Sequence, residues 1–169
     1  QDSEAVNFGL ERPMDHSERY ARATEFVEVV RGLWDSARPG LFIGDKESGI
    51  LFDAEKIREY RHDGRFFHLH GILNVPPSPQ GRPLIVQAGA SGPGRELAAS
   101  VAELIFAQAP TIEIGQEYYR DIKARARALG RDPEKLVVMP GFTPVVAATR
   151  AEAEAKVAEL DALIHPDLA

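Results

Sequence analysis

The chain has 169 residues, which is a one-domain length but well short of the roughly 250 typical of an eight-fold α/β barrel. It contains no cysteine, which excludes thiolate metal sites and a cysteine nucleophile. Its formal net charge of −6, with acids and bases interleaved, argues against nucleic-acid binding. The apolar runs are far shorter than a membrane span, and with no signal peptide to read we expect a cytoplasmic protein.

The first element predicted is a helix over residues 13–34, in which Asp15 and Glu18 form a capping box. Its buried face is expected to carry apolar residues at three-and-four spacing, namely Tyr20, Ala23, Val27, Val30 and Trp34. A polar, glycine-punctuated segment follows, residues 38–75, which we call the excursion. Within it we predict a short helix at 53–60 and a half-exposed strand at 65–70.

Three strand-and-helix units follow from residue 83 onward. The strands are the apolar runs 84–86, 104–106 and 136–139, and the helices begin near Arg95, after the second run, and at Ala151. We expect the middle helix to bury Tyr119, Ile122, Ala126 and Leu129 and to end at Gly130, and the last helix to open with a Thr149–Glu152 capping box. Strands that are apolar throughout are buried on both faces of a parallel sheet, which makes the fold class α/β. Periodicity alone leaves a doubly wound sheet and part of a barrel both open.

The small-residue loop between the first of these strands and its helix is the strongest candidate site. Gly89, Ala90, Ser91, Gly92, Pro93 and Gly94 deliver the chain to a helix start, where unpaired backbone N–H groups bind anions. Ser91 could add a hydroxyl donor to a phosphate. The equally weighted alternative is a glycine-rich turn in which Ser91 merely caps the helix.

Four histidine and tyrosine side chains form two further pairs. His16 and Tyr20 lie four residues apart and project from one side of the first helix, although a core tyrosine beside a solvated histidine fits the same spacing. His68 and His70 have the spacing of one strand face. Because no third ligand accompanies them, we expect exposed strand histidines and no metal site. Phe66, Phe67 and His70 could touch a substrate, but a structural role is the better expectation.

Several short stretches together resemble one family. Asn7-Phe8-Gly9, Asp15-His16-Ser17-Glu18-Arg19-Tyr20 and Leu33-Trp34-Asp35-Ser36 are similar to segments of the flavin-dependent monooxygenases of the nitrilotriacetate and dibenzothiophene-sulfone type, in the bacterial luciferase-like superfamily. So are Leu73-Asn74-Val75-Pro76, Gln87-Ala88-Gly89, Gly94-Arg95-Glu96-Leu97-Ala98 and Met139-Pro140-Gly141, in the same order. The resemblance extends from Asp2 to about Leu160.

The resemblance implies part of a (β/α)8 TIM barrel, about strands 5 to 7 with flanking helices, as a single partial domain over residues 1–169. It implies an enzyme that takes reduced FMN from a separate NAD(P)H:flavin reductase and uses O2 to oxidise a small organic substrate. His16 and Tyr20 match flavin-contacting positions and Ser91 the phosphate-binding serine, with Ala90 and Gly92 beside it. Ala90 stands where the family often has a first serine, so one hydroxyl donor is missing. No catalytic residue is assigned.

Three points stay open at this level. A deazaflavin-dependent oxidoreductase of the same fold, or a non-catalytic flavin- or phosphate-binding remnant, would fit the same residues. The chain starts at Gln1 and lacks the family's first four strands and its eighth, so we expect a fragment whose sheet exposes its inner apolar face. Substrate identity is not disclosed, and a homo-oligomer is possible.

Overall fold

The computed structural model describes residues 5–7 and 9–164. The helices are α1 (His16–Trp34), α2 (Gly92–Val101), α3 (Ile112–Ala128) and α4 (Arg150–Ala162), with short 3-10 turns at Ala54–Lys56 and Pro133–Lys135. The strands are β1 (Tyr60–Asp63), β2 (His68–Gly71), β3 (Val86–Gln87), β4 (Leu104–Ala107) and β5 (Val137–Pro140). No helix in these ranges is both long and apolar enough to cross a bilayer.

The three predicted strand-and-helix units form a parallel sheet in the order β3-β4-β5. Leu104 at the start of β4 lies between Val86 of β3 and Val137 of β5 in the ladder. Each strand connects to the next through a helix, as a parallel sheet requires. The predicted α/β class is therefore confirmed, with strands that are shorter at β3 and shifted by one residue at β5 relative to the expected bounds.

The core lies on one face of this sheet only. The side chains buried there come from α2, β4, α3 and the turn before β5, and they are Ala98, Ala102, Ile105, Ala107, Tyr118, Ile122, Ala126 and Leu136. On the opposite face Val86, Phe106, Val137 and Met139 are each at least 40% exposed. The expectation that these strands are buried on both faces is therefore wrong for this chain, whereas the expected exposure of one apolar face is observed. The alternation along β4 follows from the strand period of two.

Helix α1 begins at His16, three residues later than predicted, and only Val29 of it is fully buried. The expected capping box at its start is absent, because Asp15 caps the helix without a side-chain hydrogen bond. Glu18 instead accepts a hydrogen bond from Arg65 of the excursion at 2.8 Å. The expected apolar face is half-buried, since α1 packs on α2 along one side only.

The excursion contains a two-stranded antiparallel hairpin in place of the single strand predicted. β1 pairs with β2 in a register that sets Tyr60 opposite Gly71. The helix expected at 53–60 is reduced to the 3-10 turn Ala54–Lys56, because Ile57 is already extended and Tyr60 enters β1. The hairpin is a separate sheet and adds no strand to the parallel one.

The buried face of α3 contains two of the four predicted residues, Ile122 and Ala126, but has Tyr118 in place of Tyr119 and does not include Leu129. Tyr118, Ile122 and Ala126 are buried, whereas Tyr119 and Leu129 are both more than 40% exposed. Gly130 ends the helix as expected, with a φ of 73° that favours glycine. Thr149 caps α4 by accepting from the Glu152 amide, but the Glu152 carboxylate accepts from Ala148 and not from Thr149, so the predicted box is only half formed.

Candidate functional site: the loop after strand β3

The loop that follows β3 ends in a capped helix start. Ser91, with extended φ and ψ, is the N-cap of α2, and its hydroxyl oxygen accepts a hydrogen bond from the Gly94 amide at 3.3 Å. Pro93 lies in the first turn, where its missing N–H costs nothing. The capping alternative is therefore realised in the structure. It leaves the serine hydroxyl hydrogen free to donate elsewhere.

That hydroxyl donates to the phenol oxygen of Tyr20, 3.4 Å away. Helix α1 thus brings Tyr20 against the loop from a position 71 residues earlier in the chain. Gly94 makes the approach possible, because a Cβ at this position would lie 2.9 Å from the Tyr20 hydroxyl oxygen. The ring of His16 lies next to that of Tyr20, with centroids 4.9 Å apart and planes tilted by 59°. All five predicted residues, His16, Tyr20, Ala90, Ser91 and Gly92, therefore lie in one neighbourhood.

The backbone amides of this loop are open to a ligand. Within the described part of the chain, the N–H groups of Ala90, Ser91 and Gly92 have no hydrogen-bond acceptor, whereas that of Gly89 is taken by the Gln87 side chain. Ala90 and Gly92 are exposed, and a Cβ at Gly92 would meet no atom within 4 Å. Adjacent unpaired amides at a helix start are the donors that bind a phosphate group.

The charged side chains next to the loop, Arg95 and Asp121, are paired with each other on the side of the loop that faces α3. Arg95 is turned back, so that its Nε donates to the Ala90 carbonyl at 2.9 Å and its NH1 to the Asp121 carboxylate at 2.9 Å. Burial, the largest influence, raises the pKa of Asp121, but the hydrogen bonds from Arg95 and Arg125 outweigh it, and the net pKa lies below the ordinary value. The carboxylate therefore stays ionised and keeps both guanidinium groups in place. Sequence reasoning missed Arg95 and Asp121, since only the tertiary fold pairs them.

An opening lies at the carboxyl ends of the neighbouring strands β4 and β5. It has a volume of about 390 Å³ and is lined by Phe106, Gln108, Gly141, Phe142 and Thr143 among others. Because the strands are parallel, this opening and the loop of residues 89–94, which we call the Ser91 loop, lie at the same edge of the sheet. Ligands of α/β proteins bind at that edge.

The histidines and phenylalanines of the excursion have structural contacts. His68 pairs with Asp63 and His70 with Glu59, and all four side chains are more than half exposed. Phe67 packs against Phe26 of α1, with ring centroids 5.9 Å apart. Over residues 5–7 and 9–164 no three His, Cys, Asp or Glu side chains converge as a metal site would require.

A further buried contact in this region carries no predicted role. The Glu25 carboxylate on α1 accepts hydrogen bonds from the Phe66 and Phe67 amides and contacts His62 Nε2 at 3.0 Å. Burial, the largest single influence, raises the Glu25 pKa, yet the hydrogen bonds from His62 and the two amides together bring it below the ordinary value. This contact fastens the hairpin to α1, the helix that carries Tyr20. Nothing in the local pattern distinguishes Glu25 from a surface glutamate.

A parallel α/β fold with an open, amide-lined loop at the carboxyl edge of its sheet is an arrangement shared by many proteins that bind phosphate groups. Comparison with known proteins narrows this set to one family. The model of the luciferase-like monooxygenase family matches residues 1–167, and the chain belongs to that family.

Named relatives agree with this family. The chain is 49% identical to N-acetyl-S-(2-succino)cysteine monooxygenase of Bacillus subtilis, over 99% of this chain and 38% of that protein. It is 46% identical to nitrilotriacetate monooxygenase component A of Aminobacter aminovorans, over 98% of this chain and 36% of that protein. The chain thus spans little more than a third of the curated relatives it matches. These names do not favour the deazaflavin alternative.

Solved structures give the same result. A riboflavin lyase, determined with modified FMN and riboflavin, superimposes with a TM-score of 0.88 at 35% identity, covering 98% of this chain and 37% of that one. A long-chain alkane monooxygenase superimposes with a TM-score of 0.84 at 36% identity, over 93% of this chain and 36% of that one. The predicted resemblance to luciferase-like monooxygenases is confirmed.

Proposed function

We propose that this chain is the part of a flavin-dependent monooxygenase that holds the phosphate end of reduced FMN. The observation that carries the proposal is the meeting of Tyr20 with the Ser91 loop, 3.4 Å apart, beside amides that have no acceptor among the described residues. The Tyr20 phenol and three backbone N–H groups then lie beside a space that is open to solvent, and the Ser91 hydroxyl would join them by turning its proton from Tyr20 to the ligand. That set suits a phosphate monoester, which offers three acceptor oxygens.

The roles of the residues follow from their chemistry. The amides of Ala90, Ser91 and Gly92 would bind phosphate oxygens, assisted by the positive end of the α2 dipole. Tyr20 and His16 would contact the flavin on the α1 side, where their adjacent, tilted rings present one phenol and one imidazole. Reduced FMN, when bound, supplies the two electrons with which O2 is activated, so the protein itself needs no metal or acid–base pair.

The partial match to longer relatives suggests where the rest of the site lies. We propose that β3, β4 and β5 correspond to about strands 5 to 7 of an eight-stranded barrel, and that residues 1–169 form one partial barrel domain with the excursion inserted. The exposed apolar face of Val86, Phe106 and Met139 would then line the barrel interior. The opening beside Phe142 would face a small organic substrate.

Binding of FMN tests the proposal directly. In the complete protein encoded by the gene, FMN titration followed by quenching of flavin fluorescence should show saturable binding, with riboflavin bound more weakly because it lacks the phosphate. Ser91→Ala should lower FMN affinity by about tenfold, the equivalent of one hydrogen bond to a charged group. Absence of FMN binding by the unsubstituted protein would overturn the proposal.

A matched control separates binding from helix capping. Thr149→Ala also removes an N-cap whose hydroxyl oxygen accepts a 3.3 Å hydrogen bond from the backbone, but at α4. Each substitution should lower stability by about 1 kcal/mol. Only Ser91→Ala should change FMN affinity. The proposed partner is an NAD(P)H:flavin reductase that supplies the reduced FMN. Turnover is therefore measured with NAD(P)H, such a reductase, O2 and candidate substrates.

A further inference from the structure

Two carbonyl groups of the Ser91 loop are held from behind by side chains. The Gly89 carbonyl accepts from the Tyr118 hydroxyl at 3.4 Å, and the Ala90 carbonyl accepts from Arg95 Nε at 2.9 Å. Burial, the largest influence, raises the pKa of Tyr118, so its hydroxyl keeps the proton that it donates. Both anchors lie on the side of the loop that faces α3, which carries Tyr118.

The anchors are themselves fixed. The Arg95 guanidinium lies over the Tyr118 ring, 4.9 Å from its centroid, and its NH1 is paired with Asp121 Oδ2. The other Asp121 oxygen accepts from Arg125 Nε at 2.8 Å. Arg95 is about one-third exposed at its side chain, as is Asp121. The Arg95 guanidinium is thus held by the Ala90 carbonyl at Nε, by Asp121 at NH1 and by the Tyr118 ring under one face. A planar group with these three contacts has little freedom to turn toward a ligand.

The geometry of the peptide unit transmits this anchoring to the other side of the loop. In a trans peptide the C=O of one residue and the N–H of the next point in opposite directions within one plane. The Gly89 carbonyl shares its plane with the Ala90 amide, and the Ala90 carbonyl shares its plane with the Ser91 amide. Holding both carbonyls toward α3 therefore turns both amides away from α3, and neither amide has an acceptor among the described residues.

We propose that Arg95, Asp121 and Tyr118 are positioning residues that pre-orient the amides of Ala90 and Ser91 for the phosphate of the flavin, and that Arg95 acts through the Ala90 carbonyl and not as a phosphate ligand. The inference rests on the proposed function of this loop. Pre-orientation matters because a site whose donors already point at the ligand loses no free energy in ordering them. The positive charge next to the loop thus has a geometric role.

The two roles of Arg95 predict opposite effects of removing Asp121. If Arg95 attracted the phosphate by charge, Asp121→Asn would take away a nearby negative charge and strengthen FMN binding. If Arg95 positions the loop, the same substitution releases the guanidinium and weakens FMN binding, by about tenfold. Arg95→Lys keeps the positive charge but cannot contact the Ala90 carbonyl and Asp121 at the same time in the way a guanidinium does. It should therefore also weaken FMN binding, to a similar degree.

The test measures affinity for FMN and for riboflavin in the complete protein encoded by the gene, for the wild type, Asp121→Asn and Arg95→Lys. We expect FMN affinity to fall in both variants while riboflavin affinity stays within about twofold, so that the preference for FMN falls by the same factor. Glu117→Gln, which removes an exposed carboxylate from the same helix, should leave both affinities unchanged. A phosphate preference that is retained or raised in Asp121→Asn and Arg95→Lys overturns the inference.

Two further measurements distinguish a loss of amide positioning from a folding defect and from a failure of the proposed FMN site. If either variant loses riboflavin binding as well, Tyr118→Phe decides, since it keeps the ring under Arg95 and removes only the hydroxyl on the Gly89 carbonyl. We expect a smaller fall in phosphate preference there, and no fall would overturn the inference. A wild type that binds no FMN would overturn the proposed function itself.

Discussion

The parallel sheet with its helices and the excursion are held together by different forces. In the sheet region Ile105 and Ile122 are fully buried among alanine and leucine side chains. In the excursion only Leu41 among residues 38–75 is buried, and polar groups make the attachments. Ser36, just before it, accepts from Arg58 through its carbonyl and from Leu73 through its hydroxyl, and Glu25 holds the hairpin. The region carrying the Ser91 loop therefore depends on packing, whereas the region beside it depends on a few buried polar groups.

The largest effect should come from the packed region. Ile122→Ala removes a fully buried side chain next to Ile105 and should lower the free energy of unfolding by about 2–5 kcal/mol, from lost burial and the cavity left behind. Urea denaturation followed by circular dichroism measures it. Ile112→Ala, on the same helix at 74% exposure, is the control and should cost far less. A loss for Ile112→Ala as large as that for Ile122→Ala would contradict the conclusion that packing stabilises the sheet region.

Among the polar groups that attach the excursion, the most sensitive should be Ser36, just before its first residue. Its hydroxyl donates to the Leu33 carbonyl at 2.6 Å and accepts from the Leu73 amide at 3.1 Å, and the residue is 2% exposed. Ser36→Ala leaves that amide without a partner, so the free energy of unfolding should fall by about 1–3 kcal/mol. The exposed Ser17 on α1 provides the control substitution to alanine. A loss no larger than that of Ser17→Ala would contradict a polar attachment at this point.

Acid should weaken the hairpin attachment first. The Glu25 pKa is lowered in the folded state, so its contribution to stability is complete above the unfolded pKa of about 4.3 and is lost as pH falls through the folded value. The protection factors of the Phe66 and Phe67 amides, which compare the observed exchange rate with the intrinsic rate at each pH, should therefore fall below about pH 4.3 in the wild type. In Glu25→Gln the two amides should exchange faster at neutral pH and respond less to acid. A wild-type pH response in this variant would show that another carboxylate holds the hairpin.

The smallest effect is expected at the exposed pair of the same hairpin. Asp63→Asn breaks a contact with His68 in which both side chains are about two-thirds or more exposed. Its cost should not exceed about 1 kcal/mol, because water replaces such a contact at little loss. Thermal unfolding of Asp63→Asn beside Glu25→Gln compares an exposed and a buried carboxylate–histidine contact on one hairpin. Similar losses of stability in the two variants would mean that burial does not determine how much each contact contributes.

Much of the candidate site could be anticipated from local sequence. The loop of glycines with Ser91 before a helix and Pro93 in its first turn predicts a capped helix start after a strand, and the structure has this N-cap at Ser91. Whether that turn also binds an anion was left open by the sequence. The four-residue spacing of His16 and Tyr20 places their rings together on any helix. What the spacing left open was whether Tyr20 belonged to the core or to the loop, since both are compatible with an apolar stripe.

Other features escaped because their partners are distant in the chain. The contact of Arg95 with Asp121 spans 26 residues, and that of Glu25 with the Phe66 amide spans 41. The strand β1 was missed because its residues Tyr60-Arg61-His62-Asp63 carry no continuous apolar signal and pair only when β2 lies alongside. On α3 the prediction was right for Ile122 and Ala126 but chose the wrong tyrosine, since Tyr118 and Tyr119 are equally apolar and only packing selects between them.

Local sequence was enough to predict the strands and helices after residue 83, their alternation in a parallel sheet and the small-residue loop before a helix start, because backbone periodicity, caps and glycine freedom act over a few neighbouring residues. Long-range packing set which sheet face is covered, which acid pairs with which base, and toward which side the loop carbonyls are held. Those outcomes depend on contacts between residues tens of positions apart, and the free energy of such a contact exists only once the chain has brought both partners together.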